Sequence, residues 1–342
     1  MFINMSSSSC FCSKLLITFI LLRIADTFLC TDEELTCIAM PVDYHQSRDT
    51  MDKCVDKHES CKQYVERGEC NINPGWMVVN CPVGCNACKL RHASVRCQMA
   101  TLNMSSTPAL VPGDLNEIFH RLSNSGGSYG DVKVLSTRPW IVTVDNFLST
   151  AETSALITSV THWQRSTAKD VVGTHGKVVN VESHYRTSDS AWCKDSCERN
   201  PDVKNTVRKI QRLTNIPSDN YEAFQVLKYE KGQLYKIHHD SSFMQTKLVC
   251  GTRVLTVFLY LSDVEEGGET VFPLLGIEVK PKRGRALIWP GVLNEHPDMI
   301  DSRTIHEALP VVSGVKYAAN TWIHMHDFKT PNKWGCTGGF EQ

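Results

Sequence analysis

The sequence predicts an α+β fold that is mainly β, a barrel or sandwich of strands backed by helices, with a small disulfide-rich module attached. Short strand-like runs bounded by glycine and proline follow one another in the carboxyl-terminal half, after a helical start. Six cysteines crowd into residues 54–88, which are too few to bury a core of their own. Two structural units of unequal size are therefore expected.

Local signals place the elements of the larger unit. Ser149 and Glu152 form a capping box ahead of an apolar helical face, and Asn200 with Pro201 caps a second helix. A third, shorter helix is predicted from four apolar residues at helical spacing. In chain order, the short helix covers 114–122, a first strand covers 139–147, and further strands cover 221–229, 253–261, 285–289 and 317–328.

Composition narrows the function. The chain has 342 residues, a formal net charge of −1 and 15 cysteines. A nearly neutral chain has no global field to attract nucleic acid, so no nucleic-acid partner is expected. So many cysteines favour an oxidising compartment, where they serve as disulfide staples.

The amino terminus agrees with such a compartment. An apolar run at 15–22 lies between Lys14 and Arg23. It is shorter than a membrane-spanning helix, which needs about 20 apolar residues. Residues 1–31 are predicted to be a signal peptide, or a signal anchor that tethers the protein to a membrane if it is not cleaved. The expected location is the secretory pathway, in the ER or Golgi lumen, or outside the cell. Asn103 begins a glycosylation sequon.

The cysteine cluster has a specific spacing, although spacing alone leaves its pairing open. The run Cys61-x8-Cys70-x10-Cys81-x3-Cys85-x2-Cys88, preceded by Cys54, resembles the ShKT domain over the whole of residues 54–88. The resemblance implies the disulfides Cys54–Cys88, Cys61–Cys81 and Cys70–Cys85. The resemblance also includes toxins that block potassium channels through a lysine in the segment before the fourth cysteine. That segment, before Cys81, has no basic residue here, which disfavours channel block and favours an accessory interaction module.

The remaining chain is divided by composition. Residues 89–137 are predicted to be a connector, residues 138–328 the larger domain, and residues 329–342 a tail. Cys193 and Cys197 are close enough in sequence for a local disulfide, whereas the pairing of Cys250 and Cys336 stays open.

A His-x-Asp pair marks the candidate chemistry. On a strand, His238 and Asp240 would point to one face and could hold two positions of one metal ion. With one more histidine they would form the two-His, one-carboxylate face that suits non-haem Fe(II) and leaves positions open. The pair alone is weak evidence, because such tripeptides also arise by chance.

Three longer motifs strengthen that interpretation, because they occur together and in order. Across residues 139–328 the sequence resembles the prolyl 4-hydroxylase family of Fe(II)- and 2-oxoglutarate-dependent oxygenases. The matching motifs are Tyr229-x2-Gly232-Gln233-x-Tyr235-x2-His238-x-Asp240, Glu266-Gly267-Gly268-Glu269-Thr270-x-Phe272-Pro273, and Asp301-x2-Thr304-x-His306 followed by Pro310-Val311-x2-Gly314-x-Lys316 and by Trp322.

The resemblance implies a double-stranded β-helix, or jelly roll, and assigns roles to residues. His238, Asp240 and His306 would bind the metal. The implied binding residues are Lys316, Tyr229 and Thr270 for 2-oxoglutarate, and Arg186, Arg253 and Trp322 for the substrate. His239 should face away from the metal, and His324 and His326 are expected to be incidental.

The implied activity is 4-hydroxylation of peptidyl-proline, coupled to oxidative decarboxylation of 2-oxoglutarate to succinate and CO2. The implied cofactors and cosubstrates are Fe(II), 2-oxoglutarate, O2 and ascorbate, and the implied partner is a proline-containing protein or peptide, collagen-like or hydroxyproline-rich. Two alternatives stay open. One is hydroxylation of lysine or another side chain on the same scaffold, and the other is a non-catalytic binding protein that acts through the ShKT module.

Overall fold

Two antiparallel sheets packed against each other form the body of the protein, in a computed structural model that describes residues 53–172 and 177–337. The helices are α1 (Cys61–Glu66), α2 (Glu69–Ile72), α3 (Pro74–Asn80), α4 (Ala93–Arg96), α5 (Asp114–Ser123), α6 (Thr150–Thr158), α7 (Ser196–Arg199), α8 (Pro201–Thr214) and α9 (Lys329–Lys333). The strands are β1 (Asp131–Thr137), β2 (Trp140–Asp145), β3 (Gln164–Arg165), β4 (Thr167–Val172), β5 (Lys177–Glu182), β6 (Asp189–Trp192), β7 (Gln225–Tyr229), β8 (Tyr235–His238), β9 (Arg253–Tyr260), β10 (Glu266–Gly267), β11 (Thr270–Phe272), β12 (Ile277–Val279), β13 (Ala286–Pro290), β14 (His306–Ala308), β15 (Val311–Ser313) and β16 (Lys316–His324).

The larger sheet has eight strands in the order β1-β2-β13-β9-β16-β7-β6-β3, and the smaller has four in the order β12-β11-β14-β8. Every pair in both sheets is antiparallel. Two-stranded ladders of β10 with β15 and of β4 with β5 complete the set. This arrangement confirms the predicted class, a mainly β jelly roll backed by helices.

The central strands are apolar on both faces because both faces are covered. In β9, Val257 and Leu259 belong to the core shared with the helices, whereas Phe258 and Tyr260 belong to the core between the sheets. The strand therefore reads as a continuous apolar run, which is typical of a strand buried on both sides. The inward face of this sheet forms the floor of the site described below.

Both predicted helix caps are confirmed. The Ser149 backbone N–H donates to Glu152 Oε2 at 2.7 Å, and the Glu152 N–H donates to Ser149 Oγ at 3.2 Å, which starts α6. Asn200 Oδ1 accepts the Asp202 N–H at 2.9 Å and starts α8. Each cap satisfies amide groups that have no partner within the helix.

The boundary placed at residue 138 is wrong, because the supposed connector contributes to the catalytic core. β1 is the first strand of the large sheet, and α5 packs on it. Phe119 of α5 stacks on Trp140 with ring centroids 5.4 Å apart, and the Trp140 indole N–H donates to Asn116 Oδ1 at 2.7 Å. The helix at α5 was predicted, but loop-like composition around it concealed β1 and the packing of both elements on the large sheet.

The amino-terminal module consists of three short helices held by three disulfides. They join Cys54 to Cys88, Cys61 to Cys81 and Cys70 to Cys85, the pairs that the ShKT resemblance implies. Only a few side chains, such as Met77, are buried inside this module. The disulfides therefore supply the stability that so small an apolar core cannot provide.

The module and the segment that follows it are attached to the end of the chain. The sequence predicted only a connector and a tail in these two regions. A fourth disulfide joins Cys97 to Cys336, and Arg96 Nε donates to the Trp334 carbonyl at 3.1 Å. Gly75 of α3 lies so close that an added Cβ would come within 2.7 Å of the Trp334 backbone. The described residues from Cys54 onward accordingly form one compact unit.

The remaining cysteines differ in their state. As predicted, Cys193 pairs with Cys197, whereas Cys250 is a buried free thiol. Asn103 is exposed. The described helices are all too short or too polar to cross a membrane. The predicted signal segment, residues 1–31, lies outside the described residues.

Candidate active site

A cavity of about 240 Å³ lies between the two sheets, and most of the predicted site residues line it. Its floor is the inward face of β7, β9, β13 and β16, and its other wall comes from β8, β11 and β14. Both walls are strands, so the side chains that face the cavity follow the period of two along each strand.

Three side chains converge at one wall. His238 Nε2 lies 3.9 Å from Asp240 Oδ1, and His306 Nε2 lies 3.8 Å from Asp240 Oδ2. All three ligand atoms lie within 4.8 Å of one another. His238 and His306 are direct partners in the ladder between β8 and β14, which brings together residues far apart in sequence. The strand ends at His238, so Asp240 lies just beyond it rather than on it as predicted.

Hydrogen bonds orient each of the three groups. His238 Nδ1 donates to the Lys236 carbonyl at 2.8 Å, and His306 Nδ1 donates to the Thr304 carbonyl at 3.0 Å. Nε2 of each ring is therefore the unprotonated nitrogen that faces its neighbours. The Thr256 hydroxyl donates to Asp240 Oδ2 at 2.7 Å and fixes the carboxylate.

The protonation states also fit a metal site. Burial, reinforced by His306, lowers the pKa of His238 to about 3, and burial lowers the pKa of His306 as well. Burial alone would raise the pKa of Asp240, but His306, His238 and Arg253 outweigh it and the net pKa is lowered. Two neutral imidazoles and one carboxylate result, a donor set suited to Fe(II) with positions left for other ligands.

Lys316 does not line the cavity itself and lies behind its closed end, which Tyr229, Phe258 and Thr270 line. It is fully buried, and its ammonium donates to the Gly268 carbonyl at 2.7 Å. The rings of Tyr229, Phe258 and Tyr260 surround it, with centroids 5.2 to 5.6 Å from Nζ. Burial lowers its pKa to about 7. A lone buried cation of this kind is a site for a carboxylate, which would restore the charge that burial disfavours.

The other two predicted 2-oxoglutarate residues lie at the same end. Tyr229 is the direct ladder partner of Lys316, across β7 and β16. Thr270 Oγ1 accepts the Tyr260 hydroxyl at 2.8 Å, which leaves its own proton free to donate to a ligand. The Tyr229 ring and the Thr270 hydroxyl thus lie at the end of the cavity that is nearest to Lys316.

Glycines make this end possible. Gly267 has φ +80° and lies where a Cβ would come within 2.4 Å of the Pro310 carbonyl oxygen. Gly268 has φ +72°, and a Cβ there would lie 3.3 Å from Lys316 Cδ. Only glycine adopts such conformations without strain. The motif glycines therefore let a backbone carbonyl reach the buried ammonium.

The predicted substrate arginines are largely engaged within the protein. Arg186 donates to Gln225 Oε1 at 2.8 Å and lies over the Tyr235 ring. Arg253 donates to Glu222 Oε1 at 2.6 Å and to the Asp240 carbonyl at 3.0 Å. Both line the cavity, but their hydrogen bonds first of all hold its walls in place.

Tryptophans surround the mouth of the cavity. Trp322 is buried beneath the Arg253 guanidinium, whose Cζ lies 3.6 Å from the ring centroid. Its indole Nε1 is buried and has no hydrogen-bond partner among the described residues. Trp192, 41% exposed, lies beside it with ring centroids 6.4 Å apart. Trp192 precedes the disulfide-bonded Cys193, a position that the sequence did not single out.

The other histidines differ in role. As predicted, His239 does not join the metal face: its Nδ1 accepts the Ser241 N–H at 2.9 Å, and its Nε2 lies 3.0 Å from Thr304 Oγ1. His324 was expected to be incidental, and this is wrong. It is buried and pairs with Glu222 at 2.8 Å, the same carboxylate that binds Arg253.

Other wall residues were missed by sequence reasoning. Thr256, Glu222, Gln225 and Asn320 position ligands or line the cavity, yet each lies inside a strand-like run or just before one. Period-two alternation around Phe258 or Trp322 could have marked Thr256 and Asn320 as inward-facing. Nothing local could have shown that Glu222 would meet Arg253 and His324.

Comparisons with known proteins follow the same division of the chain. Residues 224–324 match the family model of the 2OG-Fe(II) oxygenase superfamily, and residues 53–88 match the ShK domain-like family. The chain is 34% identical to probable prolyl 4-hydroxylase 7 of Arabidopsis thaliana over 233 residues, 61% of this chain and 71% of the relative. It is 32% identical to prolyl 4-hydroxylase 5 of the same plant over 242 residues, 63% of this chain and 80% of the relative.

Among solved structures, a collagen prolyl hydroxylase from Paramecium Bursaria Chlorella virus-1, in complex with 2OG, has a TM-score of 0.41 and 29% identity. The match covers 54% of this chain and 95% of the viral one.

Proposed function

Since this chain belongs to the prolyl 4-hydroxylase family, we propose that it hydroxylates C4 of peptidyl-proline and uses Fe(II) and 2-oxoglutarate. The observation that carries the proposal is the convergence of His238, Asp240 and His306 in one cavity, with a buried lysine behind the rings that line its closed end. An inert copy of the fold would have no reason to keep a buried cation and a preoriented ligand set together.

Each group has a proposed task in binding. His238, Asp240 and His306 hold Fe(II) through two nitrogens and one oxygen. The Lys316 ammonium binds the distal carboxylate of 2-oxoglutarate, and the hydroxyls of Tyr229 and Thr270 donate to the same group. When bound, the iron and 2-oxoglutarate supply the oxidising chemistry, in which O2 is consumed and succinate and CO2 are released. We include ascorbate as the reductant that keeps the iron in its ferrous state.

The protein's contribution is orientation and exclusion of water. Thr256, Lys236 and Thr304 fix the metal ligands, so their geometry is set before a metal or cosubstrate arrives. The aromatic rings around Lys316 exclude water, which strengthens the attraction between its charge and a carboxylate. The remaining open side of the cavity is its mouth, where a polypeptide can reach the metal.

The mouth supports a proline-containing polypeptide as substrate. Trp192 and Trp322 offer aromatic surface, and proline-rich chains bind aromatic-lined grooves because their extended form is already rigid. The unpartnered Trp322 N–H can donate to a backbone carbonyl, which proline residues leave free of hydrogen bonds. A collagen-like or hydroxyproline-rich protein is the proposed natural substrate.

The proposed location is the secretory pathway, in the ER or Golgi lumen or beyond it. Five disulfides join ten cysteines in the described residues, and such cross-links persist in oxidising compartments. The proposed signal segment and a glycan on the exposed Asn103 would follow from the same location.

The test is product analysis with purified protein, Fe(II), 2-oxoglutarate and two matched peptides that differ only in carrying proline or lysine at the central position. The expected product is 4-hydroxyproline in the first peptide, with the second unchanged. Hydroxylysine alone would instead assign the site to another side chain. No oxidised product from a range of peptides, together with peptide binding, would favour a binding protein.

A further inference from the structure

Asn320 carries an amide whose buried oxygen has no hydrogen-bond partner among the described residues, in a cavity suited to a charged ligand. Its residue is 5% exposed, its Oδ1 is buried without a partner, and it lines the cavity. The side chain bonds to no other described residue. A buried amide in this condition costs free energy that a bound ligand would recover.

The position of Asn320 on β16 indicates which ligand it meets. Lys316, Ala318, Asn320 and Trp322 alternate along one face of that strand, with exposures of 0%, 0%, 5% and 7%. The order therefore runs from the closed end towards the mouth. The direct partner of Asn320 on β9 is Phe258, whose ring centroid lies 5.5 Å from Lys316 Nζ. Asn320 thus lies next to the space that the lysine charge reaches, and nearer to it than Trp322 does.

Several other donors near the metal ligands are already engaged. Arg253 donates to Glu222 and to the Asp240 carbonyl, and the Thr256 hydroxyl donates to Asp240. Arg186 donates to Gln225. Among the described residues that line the cavity, the Asn320 amide, the Gln225 amide N–H and the Tyr235 hydroxyl are donors still free to bind a ligand, and of these three only Asn320 shares its strand with Lys316.

We propose that Asn320 binds the metal-side carboxylate of 2-oxoglutarate through its amide N–H, while Lys316 binds the distal carboxylate. The inference rests on the proposed function, because it takes 2-oxoglutarate as the cosubstrate. Rotating the amide by half a turn exchanges its oxygen and nitrogen with little change in shape, so the donor can face the ligand. The two carboxylates of one dianion would then have separate anchors on a single strand.

The experiment measures 2-oxoglutarate binding by calorimetry in the full protein loaded with Mn(II), which needs no turnover and no peptide. Asn320→Leu keeps the size of the side chain and removes the donor, and Asn320→Asp replaces it with a repelling charge. We expect each to raise the Kd for 2-oxoglutarate by about tenfold, the effect of losing one charge-assisted hydrogen bond. The Mn(II) affinity of Asn320→Leu should stay as in the wild type, which shows that its site is intact.

A second ligand locates the contact. 4-Oxobutanoate keeps the distal carboxylate and the carbonyl but lacks the metal-side carboxylate, and its Kd is measured by competition with 2-oxoglutarate. We expect Asn320→Leu to change that Kd by less than about twofold, because the lost interaction is specific to the missing group. Trp322→Phe serves as the matched variant on the same strand face, and its 2-oxoglutarate Kd should not change.

The outcomes separate this inference from the proposed function. Equal weakening of both ligands, or an unchanged 2-oxoglutarate Kd with a higher peptide KM, would overturn the role of Asn320 alone. Failure of the wild-type protein to bind 2-oxoglutarate at all would overturn the proposed function and the inference with it.

Discussion

The closed end of the cavity and its mouth differ in whether their polar groups already have hydrogen-bond partners within the protein. At the closed end and around the metal ligands, Lys316, both histidines and Asp240 each have a hydrogen bond that fixes their position. At the mouth, the Trp322 N–H is buried without a partner and Trp192 is largely exposed. The same strand, β16, supplies groups to both ends.

This difference indicates which part of the cavity binds the metal and cosubstrate and which part binds the polypeptide. A metal and a small dianion meet groups that are already oriented, so little ordering is needed when they bind. The mouth leaves polar and aromatic groups unsatisfied, and a long polypeptide would satisfy them. Substitutions at the closed end should therefore disturb the cosubstrate, and substitutions at the mouth should disturb the peptide.

The largest effect is expected from the metal ligands. His306→Ala should lower succinate formation by at least about a hundredfold, because even the partners that orient a ligand are worth about 10–100-fold. Iron retained after desalting, measured by atomic absorption, should fall in parallel. The matched control is His326→Ala, a half-buried histidine that does not line the cavity. Normal turnover by His306→Ala under saturating Fe(II) would contradict the assignment.

At the closed end, Lys316→Ala should raise the KM for 2-oxoglutarate by at least about tenfold, equivalent to about 1.4 kcal/mol of lost binding. The peptide KM should change far less, because Lys316 is buried away from the mouth. Initial rates with each substrate varied in turn provide both constants. Equal increases in the KM for 2-oxoglutarate and the KM for the peptide would indicate general damage to the fold. They would contradict the inferred difference between the closed end and the mouth.

The same lysine should make cosubstrate binding depend on pH. Burial holds the pKa of Lys316 near 7, so the ammonium is present below that pH and is lost above it. The 2-oxoglutarate dianion favours the charged form, so its Kd should be flat below pH 7 and rise by about tenfold per pH unit above it. Calorimetry in Mn(II)-loaded protein measures this. Lys316→Arg stays charged and should flatten the curve, and an unchanged curve in that variant would assign the titration to another group.

A smaller effect, confined to the peptide, is expected at the mouth. Trp322→Phe removes the unpartnered N–H and keeps an aromatic ring, which should raise the peptide KM by about two- to tenfold, the worth of one hydrogen bond. The KM for 2-oxoglutarate should stay constant. A change in the cosubstrate constant alone would place Trp322 with the closed end.

The smallest effect on short-peptide turnover is expected from the link between the module and the end of the chain. Replacing Cys97 and Cys336 together by Ser should lower the stability to unfolding by about 2–4 kcal/mol, since this bond closes a very long loop. The kcat/KM for a short proline peptide should stay within about twofold. Thermal unfolding and initial rates measure the two quantities. Lost turnover by a folded variant would show that the module supports the site.

The sequence predicted the closed end better than the mouth. His238, His306 and Lys316 lie in compact motifs whose spacing follows from adjacent strands and short turns. The two histidines meet each other, and Lys316 meets Tyr229, as expected. Asp240 lies beyond its strand because β8 ends at His238. Its carboxylate is held instead by Thr256, which lies outside every motif.

What the sequence did not predict depends on contacts between distant segments. Cys97 and Cys336 are separated by 239 residues, and nothing near either cysteine indicates its partner. His324 looked incidental because its partner, Glu222, lies on a different segment of the chain. β1 and α5 were assigned to a connector because the apolar face of α5, although predicted, gives no sign of its partner, which is the large sheet.

The most direct test of the central claim measures succinate and 4-hydroxyproline together in one reaction of the wild-type protein with Fe(II), 2-oxoglutarate and a proline-rich peptide. Equal amounts of the two products are expected, together with the loss of both in Asp240→Ala while peptide binding persists. Succinate without hydroxyproline across a panel of proline peptides, or peptide binding without either product in the iron-loaded wild type, would contradict it.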